Sequence, residues 1–220
     1  FLGEYADRGP KGVEVIEGID MLVKKYPDRV VALKGNHEEY SSNGEPVFSP
    51  CTLVQEAERK RGGWRDFFET TFRDFVSGLS IAAIVPGAAL LVHGGVGKGI
   101  DGIESLYEPG EELQRDILWS DPSMDRGISP NMRGAGKNFG EDVSEEVISR
   151  LGVKRIIRSH EPRKAVYGPA FDHDGRVVTL SATSVYGGRP FLLSINGEEL
   201  AESRSVDTIN DSVVYLDETG

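Results

Sequence analysis

Four times along this 220-residue chain a polar or charged group closes an apolar run and is followed by glycine or by another side chain able to hold an ion. The four clusters are Gly3-Glu4-Tyr5-Ala6-Asp7-Arg8-Gly9, Gly35-Asn36-His37-Glu38, His93-Gly94-Gly95 and Ser159-His160-Glu161. Side chains that do chemistry concentrate on loops held by rigid strands, so the four clusters predict one site assembled from strand ends.

The residues between the clusters predict a mixed α/β chain. Val15, Ile16, Ile19, Leu22 and Val23 recur at three- and four-residue steps from Gly12 to Tyr26 and predict an amphipathic helix stopped by Pro27. A β-branched run, Val30 to Leu33, predicts a strand ended by Lys34-Gly35. Thr52 to Arg61 and Trp64 to Val76 predict two helices separated by Gly62-Gly63, with Phe67, Phe68, Phe72 and Phe75 as core. Ile81 to Val85 and Ala88 to Val92 flank Pro86-Gly87 and predict a hairpin ending at His93.

Gly97 to Gly140 reads as mostly irregular, with a helix around Gly110 to Ile117, and is too long for an idle connection. A helix is predicted from Ser144 to Leu151, opened by Ser144 and stopped before Gly152. Strands follow at Arg155 to Ile157, Val177 to Leu180, Phe191 to Ile195 and Glu199 to Val206. Hairpin turns are predicted at Asp174-Gly175 and Asn196-Gly197. Helices early and antiparallel strands late suggest helices layered with two packed sheets.

A formal charge of −11, spread along the chain, disfavours a nucleic-acid partner. The longest apolar stretch, Ile81 to Val92, is interrupted by Pro86-Gly87 and is shorter than the roughly 20 residues a membrane span needs, so no membrane partner is expected. The single Cys51 cannot form an internal disulfide, which fits a reducing cytoplasm, and it reads as a small buried hydrophobe. The chain opens Phe1-Leu2-Gly3, as though inside a strand, and is expected to be incomplete at its N-terminus.

Carboxylate, amide oxygen and imidazole are hard or borderline ligands suited to Mn²⁺, Fe or Zn²⁺. Paired ions of this kind clamp a phosphoryl group and activate a water, so the clusters point to phosphoester hydrolysis. Gly94-Gly95-Val96-Gly97-Lys98-Gly99 is not a nucleotide phosphate loop: Val92 stands where that motif needs Gly, and Gly99 replaces its Ser or Thr.

The ordered set GEYADRG, GNHE, HGG, LWSDP (Leu118 to Pro122), RGAGKNFG (Arg133 to Gly140), IIRSHEP (Ile156 to Pro162) and TLSATSVYGG (Thr179 to Gly188) resembles the phosphoprotein phosphatase family. These are the metal-dependent protein serine/threonine phosphatases of the calcineurin-like metallophosphoesterase superfamily. The resemblance covers nearly the whole chain. It implies one catalytic domain over residues 1–220, built as a two-sheet β-sandwich flanked by helices, with two divalent metal ions at the strand ends.

By the resemblance, Asn36, His93 and His160 ligate metal and Glu4 stands where the family has a bridging aspartate. His37 is similar to the family's general acid and Asp7 to the carboxylate that orients it. Arg8, Arg133, Asn36 and Tyr186 resemble the groups that hold the substrate phosphate. The implied substrate is a phosphoprotein or phosphopeptide; the sequence specifies no regulatory subunit.

Two features depart from the family pattern. The GDxHG motif that supplies further ligands belongs upstream of Gly3, and the bridging position carries Glu in place of Asp. Asp172-His173-Asp174-Gly175 has similar letters in another spacing and reads as a solvent-exposed turn. A binding-only pseudophosphatase and a small-molecule phosphoesterase, such as a dinucleoside polyphosphate hydrolase, stay open as alternatives.

Overall fold

The three- and four-residue apolar steps near the N-terminus become helix α1, Gly12–Lys25, in a computed structural model that describes residues 1–216. Its buried face is Gly12, Val13, Ile16 and Ile19, whereas Val15, predicted to face the core, is exposed. The helix start lacks its own cap. Instead the buried Glu56 carboxylate accepts hydrogen bonds from Gly12 N (3.1 Å) and Val13 N (3.0 Å), and Lys60 pairs with it at 2.8 Å. Glu56→Ala strands two buried N–H groups and is expected to lower unfolding stability by about 1–3 kcal/mol, measurable by urea titration.

The chain divides into two compact units, Phe1–Ser80 and Ile81–Gly220. In the first, α2 (Leu53–Arg61) ends at Gly62, whose φ of +80° suits glycine. Helices α3 (Trp64–Phe67) and α4 (Arg73–Ser77) are joined through a π turn at Phe68–Phe72 into the one helical segment expected. Phe67, Phe68, Phe72 and Phe75 are all buried, as predicted, with Tyr40 edge-on to Phe72 at 4.9 Å. The strand expected at Val30 to Leu33 does not form a ladder. Leu33 makes one bridge to Ser80 and donates to Phe1 O, so the segment is extended but paired at single points.

The second unit carries, in chain order, β1 (Ala82–Val85), β2 (Ala89–Val92), a 3₁₀ turn (Ile103–Leu106), α5 (Glu111–Trp119), β3 (Asp121–Pro122), β4 (Ile128–Pro130), β5 (Lys137–Phe139), α6 (Glu141–Leu151), β6 (Arg155–Arg158), β7 (Ala170–Asp172), β8 (Val177–Thr179), β9 (Phe191–Leu193), α7 (Gly197–Glu202), α8 (Val206–Asp211) and β10 (Val213–Tyr215). The main sheet has the order β1-β2-β6-β8-β7, beside a three-stranded sheet β3-β5-β4 and the pair β10-β9. The two packed sheets expected are thus one five-stranded sheet and two small ones. Leu90, Val92, Ile156 and Val177 from the main sheet share a core with Ile117 of α5, Phe139 of β5, and Val143 and Val147 of α6. Strands β2 and β6 run parallel, with Leu91 opposite Ile157, so their C-terminal ends deliver His93 and Ser159-His160 to the same sheet edge.

Several expectations are corrected. Residues 97–140 contain β3, β4 and β5, strands of two or three residues that offer no alternation to read. Helix α6 starts at Glu141, so Ser144 lies within it and is buried. The strand expected at Glu199 to Val206 is α7 and the start of α8, and Asn196 is no hairpin turn: its side chain caps α7 by accepting from Glu198 N at 2.8 Å. The Asp174-Gly175 turn does join β7 to β8, yet its neighbour His173 is buried. Cys51 is half-buried, 3.4 Å from the Tyr40 hydroxyl. Among the described residues no helix is long and apolar enough to cross a membrane.

Candidate active site

In the first unit the site grows from two loops locked together by one buried carboxylate. Glu38 accepts from Glu4 N (2.8 Å), Tyr5 N (3.0 Å) and Gly35 N (2.9 Å), tying the Gly3 to Gly9 loop to the Gly35 to Glu38 loop. Burial pushes its carboxyl up to about 7, against the three N–H groups that favour the charged form, and the nearby Glu4 charge adds to the rise. Gly35 is required here, because a Cβ would collide with Glu4 N and the Glu38 carboxylate.

His37 is held on one side. Its Nδ1 meets Asp7 Oδ2 at 2.7 Å, its ring packs on Phe48 at 4.3 Å, and its Nε2 points toward Glu4, 3.9 Å from Oε1. The other oxygen of Asp7 accepts from Thr52 N (2.5 Å) and Leu53 N (2.9 Å) at the start of α2. Burial alone would raise the Asp7 carboxyl; the bonds from His37, Thr52 and Leu53 outweigh it and leave the group below the ordinary carboxylate range. An ionised Asp7 accepts the Nδ1 proton, which leaves Nε2 as the nitrogen that exchanges protons with anything outside. Asn36 is buried beside His37, and Arg8 is exposed, its backbone N donating to Thr52 Oγ1 at 3.2 Å.

In the second unit His93 and His160 converge. His160 Nδ1 lies 3.2 Å from His93 Nε2, and Ser159 N donates to His93 O. Both rings are buried. Two imidazole nitrogens turned toward each other in a buried place fit shared cation coordination, so the donor set suits a divalent metal. Gly94 and Gly95 let the chain after β2 pack closely on its neighbours: side chains there would press on Leu118, Ser120 and Phe139.

The buried Arg158 guanidinium organises the surrounding loops by donating to Gly94 O, Glu161, Thr179 Oγ1 and Asp121 Oδ1. The second oxygen of Asp121 accepts from Arg133 Nε at 2.6 Å, which orients an otherwise exposed guanidinium. Tyr186 lies in the segment after β8, with the Arg163 guanidinium 5.1 Å over its ring.

The first unit therefore gathers Glu4, Asp7, Asn36 and His37, and the second gathers His93, His160 and, through Asp121, Arg133. Glu38, Asp121 and Arg158 receive no role from the sequence, although each lies inside a quoted motif. The readable signal is a charged residue within an otherwise apolar or glycine-rich run. The backbone is left-handed at Glu4 (φ +63°), Asp7 (+72°), Arg8 (+62°) and His160 (+69°), a conformation costly for such residues and typical of sites where function dictates geometry.

The family model for calcineurin-like phosphoesterases matches residues 1–164. A protein phosphatase 2A catalytic subunit of Dictyostelium discoideum is 36% identical over 184 residues, covering 79% of this chain and 56% of that protein. A serine/threonine-protein phosphatase of Caenorhabditis elegans is 33% identical over 168 residues, covering 73% of this chain and 36% of its own length. Among solved structures, a serine/threonine phosphatase of Saccharomyces cerevisiae described as similar to human phosphatase PP5 superposes with a TM-score of 0.71 at 25% identity, covering 87% of this chain and 61% of that one. The chain thus spans less than two thirds of each of these relatives.

Proposed function

The chain belongs to the calcineurin-like phosphoesterase family, and on that premise we propose that it hydrolyses phosphoserine and phosphothreonine monoesters in proteins, both units acting as one catalytic domain. The observation that carries this reading is the buried Asp7 and His37 pair, which presents one imidazole nitrogen outward from a carboxylate-anchored ring. The relatives' serine/threonine phosphatase names favour this over a binding-only protein or a dinucleoside polyphosphate hydrolase. A reducing cytoplasm suits a chain with one cysteine.

Glu4, Asn36, His93 and His160 are the residues proposed to hold two divalent ions, Mn²⁺ before Fe or Zn²⁺. When bound, such ions supply an acidified water and neutralise phosphoryl charge. His37 Nε2 protonates the departing serine or threonine oxygen, and Asp7 keeps the ring in register and stabilises its charged form. Arg133, gripped through Nε by Asp121, offers its terminal nitrogens to the phosphate oxygens. Arg8 and Asn36 add further donors, and Tyr186 lines the substrate cleft.

Elemental analysis of the full-length protein, with p-nitrophenyl phosphate and phosphopeptide hydrolysis on the same sample, tests this reading. About two metals per chain and Mn²⁺-stimulated turnover of phosphopeptide are expected. Loaded metal without turnover of either substrate overturns it.

A further inference from the structure

The turn Asp172-His173-Asp174-Gly175 carries a buried imidazole that the proposed reaction does not use. His173 is 7% exposed, with φ at +50°, in a hairpin where the turn itself is closed by the Gly175 N bond to Asp172 O. Its Nε2 lies 2.9 Å from Ser123 O and its Nδ1 2.7 Å from Ser144 Oγ. A carbonyl only accepts, so Nε2–H donates to Ser123 O, and the Ser144 hydroxyl is hydrogen-bonded at Nδ1. The ring also stands edge-on to Phe139, 5.7 Å between centroids.

These contacts lead to one place. Ser123 lies two residues beyond Asp121, and its N donates to Phe139 O at 2.9 Å. Ser144 belongs to α6, a packed part of the core. His173 thus bridges a rigid helix to the residue just beyond β3, the strand that carries the carboxylate gripping Arg133. Nothing in the hairpin requires a buried ring, whereas β3 is only two residues long: Arg158 and the pairing with β5 hold Asp121 itself, and His173 adds the anchor at Ser123, just beyond the strand.

We propose that His173 is a positioning residue: it latches the end of β3 against α6 and so sets where Arg133 meets the substrate phosphoryl group. This rests on the reading that Arg133 binds that group. A merely structural histidine would, when removed, lower the folded fraction and with it the apparent kcat. A latch acts on substrate placement and moves KM.

Steady-state kinetics on phosphopeptide with Mn²⁺ test it in the full-length protein bearing His173→Ala, His173→Gln, Arg133→Ala and the double change His173→Ala with Arg133→Ala. His173→Ala is expected to raise KM about 3- to 10-fold, the scale of one buried hydrogen bond, with kcat within about twofold. His173→Gln, whose amide N–H serves the same carbonyl, restores most of the loss, and the double change is no worse in KM than Arg133→Ala alone. A raised KM in Arg133→Ala with an unchanged one in His173→Ala overturns the latch. An unchanged KM in Arg133→Ala overturns the phosphate-binding reading instead. Should His173→Ala fail to fold, Ser144→Ala removes only the Nδ1 partner and is expected to raise KM about 2- to 5-fold; no change there also overturns the latch.

Discussion

Replacing His37 by asparagine is expected to lower kcat by about 10²- to 10⁴-fold while the protein keeps its fold and its metal. Nε2 is the ring's outward nitrogen, and no amide matches its acidity, so the leaving oxygen would depart without a proton. Asp7→Asn is expected to approach the same loss by another route. An asparagine oxygen can still cap α2 by accepting from Thr52 and Leu53, so the fold is kept at some cost in stability, but the neutral side chain no longer stabilises a charged imidazole. Rates are read as kcat over pH 5 to 9 with metal content measured in parallel; unchanged kcat in both variants removes His37 from the mechanism. Because Asp7 titrates below the ordinary carboxylate range, its ionised form adds stability above the unfolded-state pKa that is lost only as pH falls through the depressed folded value.

Glu38 carries the second large effect, with the opposite sign. Its folded carboxyl is raised to about 7 by burial, so the protonated form is the one the fold favours. The associated stabilisation is complete below the unfolded pKa near 4.5 and disappears as pH rises through about 7, a swing on the order of 3 kcal/mol. Glu38→Gln has no proton to lose there. Urea unfolding across pH 4 to 8 should therefore show a falling difference between the parent and Glu38→Gln, and parallel curves would contradict the raised pKa. Glu38→Ala is expected to be worse than either at every pH, since three buried N–H groups lose their acceptor at about 1–3 kcal/mol each.

What can be read from the residues alone follows from how local each signal is. Helix α1, the β1 and β2 hairpin, and α5 rest on periodicity or a Pro-Gly turn within a dozen residues, and the structure contains them. The region from Asn196 to Val206 misleads because Asn-Gly serves a hairpin or a helix cap equally well. Its apolar residues are too few to choose, so tertiary packing of Leu200 and Ile209 decides for helix. Asp7, His37, His93 and His160 are visible as polar interruptions after apolar runs, although only His93 and His160 follow true strands. The roles of Glu38, Asp121 and Arg158 are hidden because each depends on partners distant in the chain: Glu38 reaches Glu4 and Tyr5, while Arg158 reaches Gly94 and Asp121. A spacing pattern carries no information about such distant pairing.

The left-handed backbone at Glu4, Asp7, Arg8 and His160 bears on how this chain responds to selection. Glycine at any of these positions would relax the main chain by roughly 1 kcal/mol, and asparagine by part of that. A library sorted for heat tolerance alone would therefore drift toward Gly and Asn at these positions, discarding the side chains to which the proposed reaction assigns roles. Sorting for turnover first, and for heat only among the survivors, should confine stabilising changes to the rest of the molecule.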